Sequence, residues 1–63
     1  MNKATRDIMH LLQIDAVTAL RVQLEMECSG LNFSECTHSQ FNRCARECYE
    51  TLMQVRRDMA VCA

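Results

Sequence analysis

Ser29-Gly30-Leu31-Asn32-Phe33-Ser34 decides how this chain folds, because it is the one convincing break in a 63-residue sequence that has no Pro and a single Gly. Gly30 can take the left-handed conformation that ends a helix, and Leu31 just beyond it is placed to close over the last turn. Two helix starts then compete. Ser34 followed by Glu35 offers an N-cap with an acid in the first turn, whereas Thr37-His38-Ser39-Gln40 has the spacing of a capping box, flanked by Cys36 and Phe41 as a hydrophobic staple. The second start is favoured, with a turn of helix before it.

Upstream of the break, placing residues at about 100° per position sets Ile8, Leu11, Leu12, Ala19, Val22 and Met26 on one arc of a helix. Met9, Ala16, Val17, Leu20 and Leu24 form an adjoining arc, so only a narrow strip including Lys3, Asp7, Thr18, Arg21 and Glu25 is left for water. A helix apolar over most of its circumference needs more than one neighbour. With no Gly or Pro inside it, the run reads as one helix over about residues 4–28, roughly 36 Å long at 1.5 Å per residue. Asp15 falls within the first arc, where an unpaired carboxylate is costly. It is expected either to lie exposed at a rim or to meet a cation such as Arg56.

Downstream, Phe41, Cys44, Ala45, Cys48, Leu52, Val55, Met59 and Cys62 recur at steps of three and four, which predicts a one-sided helix over about residues 37–62. Its other face carries Arg43, Arg46, Glu47, Glu50, Gln54, Arg57 and Asp58. Arg43/Glu47 and Arg46/Glu50 are each four apart, the pattern of a solvated face with weak ion pairs. The chain carries no internal repeat and no linker, so residues 1–63 read as a single domain.

Composition narrows the class. Seven Lys and Arg against eight Asp and Glu give a net charge of −1, which leaves no overall field to attract phosphates. No apolar run approaches the roughly 20 residues of a bilayer span. The N-terminal Met1-Asn2-Lys3-Ala4-Thr5-Arg6-Asp7 lacks the form of a signal peptide, so the expected setting is the cytoplasm. Five cysteines, Cys28, Cys36, Cys44, Cys48 and Cys62, cannot all pair within one chain, and a reducing compartment makes them small hydrophobes. Cys44 and Cys48 lie one turn apart, where two thiolates could hold zinc or cuprous copper with help from Cys36, His38 or Cys28; structural core is the preferred reading. His10 and His38 have no nucleophile and carboxylate at a diagnostic spacing, and no phosphate-binding, zinc-protease or EF-hand motif is present. The chain is expected to be non-enzymatic and to need no cofactor.

These readings combine into an all-α fold: an antiparallel hairpin of two long helices joined by a turn over residues 29–36. A hairpin buries only one surface, and so small a monomer gains little net stability from it. The expected solution is a homodimer forming a four-helix bundle, joined by Ile8, Leu12, Ala16, Leu20 and Leu24 of the first helix with Phe41, Cys48, Leu52, Val55 and Met59 of the second. In architecture such a hairpin resembles the Rop type of plasmid-encoded RNA-binding protein, and in size and style the accessory regulators of phages and mobile elements. The expected role is a regulatory or interaction module that binds another protein by occupancy, with no membrane contact. The alternative is a nucleic-acid-binding dimer using Arg43, Arg46 and Arg57 on phosphates.

Overall fold

The computed structural model describes residues 2–62, with side chains over residues 2–57. The described residues form three α-helices and no strand: α1 (Lys3–Leu12), α2 (Ala16–Cys28) and α3 (His38–Cys62). The single first helix expected over residues 4–28 is therefore two helices, and the expected two-helix hairpin is a three-helix arrangement.

The break at residues 13–15 is built from residues with no helix-breaking reputation. Gln13 sits in the left-handed region at φ 56°, ψ 51°. Its N–H and that of Ile14 both donate to the Met9 carbonyl, the latter at 3.3 Å, closing α1 as a Schellman cap would. Asp15 then starts α2 as its N-cap, with a side-chain oxygen accepting from Thr18 N at 3.3 Å. A non-glycine residue in the left-handed region costs about 1–2 kcal/mol. What offsets it is burial. As one straight rod, residues 4–28 would leave much of their apolar surface uncovered by a single partner helix, whereas folding back lets α1 cover α2 within the same chain.

Two antiparallel pairings result. Near the start of α1 the buried Thr5 hydroxyl donates to Gln23 Oε1 in the second half of α2, and it also reaches Asn2 Oδ1, which caps α1 by accepting from Thr5 N at 2.8 Å. At the far end of α2, Ser29 Oγ lies 3.5 Å from Cys44 Sγ in the second turn of α3. At about 1.5 Å per residue, the 25 residues of α3 account for nearly all of the 40 Å long dimension. It runs well past the 13-residue α2 it packs against.

Between α2 and α3 the chain reverses as the sequence indicated. Gly30 adopts φ 92°, and its N–H donates to Glu27 O at 3.0 Å while Leu31 N reaches Met26 O at 3.3 Å. Asn32, which the sequence did not single out, organises the short turn that follows: its Oδ1 accepts from Ser34 N and Ser34 Oγ, and its carbonyl from Cys36 N. The capping box forms on Thr37, whose Oγ1 accepts from Gln40 N at 3.1 Å while Gln40 Oε1 accepts from Thr37 N at 2.9 Å. Phe33 meets Phe41 edge-on with ring centroids 6.1 Å apart.

The core is small. Ile8, Ala19, Val22, Met26 and Ala45 are fully buried among the described side chains, and Leu11, Leu12, Leu31, Phe41, Cys48 and Leu52 are among those packing around them in part. Only three of the five are large. A chain with so little wholly enclosed apolar volume gains from any further burial on association.

Candidate functional site

Three of the four exposed large hydrophobic side chains among the described residues lie on the outer face of α2. Ala19, Val22 and Met26 turn to the core, and Val17, Leu20 and Leu24, at steps of three and four, turn the opposite way with exposures of 62%, 49% and 59%. Exposed Cys28 continues the stripe one turn on. Arg21 and Glu25, both exposed, flank one edge of it. The chain's accessible surface is 4736 Å², against about 4200 Å² for a compact monomer of this mass.

The side chains expected at a dimer interface are distributed unevenly. Ile8 is wholly buried within its own chain. Leu12, Phe41, Cys48 and Leu52 are half-buried and partly spent on the intrachain core, and Ala16 is half-buried. Leu20, Leu24 and Val55, the last 49% exposed, remain available to a neighbour. The side chains of Met59 and Cys62 lie outside the described residues. Val17 was not among the expected interface residues, although its place on the arc of Leu20 and Leu24 was the signal for it.

Arg43, Arg46 and Arg57 are exposed on α3. Carboxylates interrupt them: Arg43 borders a shallow groove with Glu47, and Arg57 another with Glu50. This face carries both signs along its length.

Asp15 is exposed, as one of its two sequence readings had it, with the added role of capping α2. Its hydrogen bond with Thr18 holds the carboxyl below its usual range, and Arg56 of the same chain contributes a smaller attraction. His10 and His38 are both exposed. The four cysteines with described side chains are free thiols. Cys44 Sγ and Cys48 Sγ are 3.9 Å apart. Burial pushes the Cys48 thiol up to about 11, reinforced by its hydrogen bond with Cys44 and by the charges of Glu25 and Glu47. Cys36 is turned elsewhere: its thiol donates to Phe33 O at 3.7 Å, and with His38 it borders a cavity beside Phe33, Phe41 and Lys3. The structure thus brings Cys44 and Cys48 together and leaves Cys36 and His38 apart from them. Among the described residues no three His, Cys, Asp or Glu side chains are grouped to hold a metal. No described helix is long and apolar enough to cross a membrane.

No protein-family model, no curated protein and no solved structure matches this chain.

Proposed function

We propose that the protein is a non-enzymatic interaction module that acts as a homodimer and binds another protein by occupancy. The observation that carries the reading is the stripe of Val17, Leu20 and Leu24, apolar, exposed and directed away from the chain's own core. A second copy of the same chain is the occupant that fits it. About a two-fold axis normal to α2 near its midpoint, an antiparallel copy sets Leu20 and Leu24 against the second copy's Leu24 and Leu20. The same operation leaves each Arg21 only about 3 Å along the helix from the other copy's Glu25, within reach of these long side chains, once on each side of the axis. Because both residues lie on one edge of the stripe, an antiparallel two-fold brings that edge beside its own copy, and the opposite charges favour this arrangement.

In such a dimer the three-helix subunits meet through α2, and the charged faces of α3 point outward. Those faces, with Arg43, Arg46 and Arg57 interleaved with Glu47 and Glu50, suit a protein surface that also carries both signs. The balanced charge ranks nucleic acid lower as a partner.

Sedimentation equilibrium on the purified chain is the test. The expected species has about twice the 7.3 kDa chain mass at micromolar concentration and dissociates on dilution. Leu20→Glu should give a monomer that keeps its helical signal, because Leu20 lies outside the intrachain core. A chain that stays monomeric at several hundred micromolar overturns the reading.

A further inference from the structure

Cys44 and Cys48 occupy successive turns of α3, half-buried, with their sulfurs 3.9 Å apart and beside the end of α2. An open groove reaches Cys48 between the two helices, bordered by Glu25, Cys28 and Ser29 on one side and Glu47 and Thr51 on the other. Two carboxylates, Glu25 and Glu47, stand at its rim, while both cysteines also pack in part against the apolar core.

Helix geometry decides what can bridge these two sulfurs. Residues four apart in a helix hold their Cβ atoms about 5–6 Å apart. A disulfide needs about 3.5–4.5 Å, so an S–S bond here would distort α3. A metal ion adds two bonds of about 2.3 Å and therefore spans sulfurs up to roughly 4.6 Å apart. The observed 3.9 Å is a direct thiol–thiol contact, so the sulfurs need to part by only about 0.7 Å to admit an ion between them. Zinc in a structural site wants four ligands, which the described residues do not bring together. A soft ion satisfied by two thiolates is the one that fits.

We propose that Cys44 and Cys48 form a two-thiolate site for a soft monovalent ion, Cu(I), entered through the groove between the end of α2 and α3. Binding involves no redox step. Each thiol gives its proton to water as its sulfur–metal bond forms, and the copper stays monovalent. Glu25 and Glu47 border the same groove and favour the cation electrostatically.

The test is titration of the reduced full chain with Cu(I) in competition with the chromogenic chelator bicinchoninate. One ion per chain is expected, with binding lost in Cys44→Ala and in Cys48→Ala and retained in Cys36→Ala; Zn(II) should not displace it. Because either cavity-forming variant could lose its fold, the wild-type chain is also alkylated with and without Cu(I) and the modified cysteines are mapped by mass spectrometry. Protection confined to Cys44 and Cys48 supports the site. Uptake that survives both Ala variants, or protection falling on another pair of cysteines, overturns it. This inference is independent of the dimer, since a monomer that binds copper or a dimer that does not are both readable outcomes.

Discussion

Leu24→Ala separates the surface of α2 from its core with one side chain. Leu24 is 59% exposed, and Met26, two residues on, is fully buried. Truncating Leu to Ala removes three carbons, about 2.4 kcal/mol at roughly 0.8 kcal/mol per fully buried carbon. If a second copy covers the 59% left open, about 1.4 kcal/mol of that belongs to the interface in each chain. Symmetry doubles it. The dimer should weaken by up to about 2.8 kcal/mol, roughly a hundredfold in dissociation constant. Met26→Ala, by contrast, should cost the folded subunit about 2–5 kcal/mol through lost contacts and a cavity. The assay pairs sedimentation equilibrium across a concentration series with urea unfolding below the dissociation constant, where only the subunit's own stability is read. A dissociation constant within about threefold of wild type for both Leu24→Ala and Leu20→Ala would refute the assignment of the stripe. So would a monomer destabilised as much by Leu24→Ala as by Met26→Ala.

The antiparallel register predicts that Arg21→Glu weakens the dimer by about tenfold, since two exposed pairs worth roughly 0.2–1 kcal/mol each turn repulsive, and that adding Glu25→Arg restores it. Failure of the double variant to recover would show that these two residues do not face each other. Gln13→Gly should stabilise the subunit by roughly 0.5–1 kcal/mol in urea unfolding, because glycine takes the positive φ without strain, whereas Gln13→Val should destabilise it. With Cys48 pushed up to about 11 from an ordinary 9.0, the folded chain keeps this proton longer than the unfolded chain does. Stability should therefore be indifferent to Cys48 below pH 9.0 and decline from there towards about 11, a decline that Cys48→Ala removes in pH-dependent urea unfolding.

Signals contained within a few consecutive residues were legible. Gly30 with Leu31 and Thr37 with Gln40 each encode a hydrogen-bond pattern that closes over three to five residues, and no tertiary contact competes with it. The stripe of α3 from Phe41 to Leu52 was legible for the same reason, since one face of a helix is set by spacing alone. The break at residues 13–15 was not, because Gln13 and Ile14 carry no intrinsic preference for ending a helix and their periodicity runs on without a phase change. What breaks the helix there is a long-range gain: Ile8 and Thr5 reach Val22, Gln23 and Met26 only if the chain reverses.

Asp15 was the visible trace of that reversal. A carboxylate inside an apolar arc needs a reason, and the sequence offered exposure at a rim or a cation from another helix. Neither names a local partner, whereas the group that meets the exposed carboxylate is the backbone N–H of Thr18, three residues on. Once Asp15 is a cap, the arcs of residues 4–28 no longer belong to one rod. The first arc becomes the seam between α1 and α2, closed within the chain. Most of the second is then the outer face of α2, where Val17, Leu20 and Leu24 are about half or more exposed. The residue that ends the long helix thus also determines which apolar surface is left for a second molecule. A continuous helix would have offered both arcs to the partner and required it for folding; the broken one folds one arc in and offers only the other.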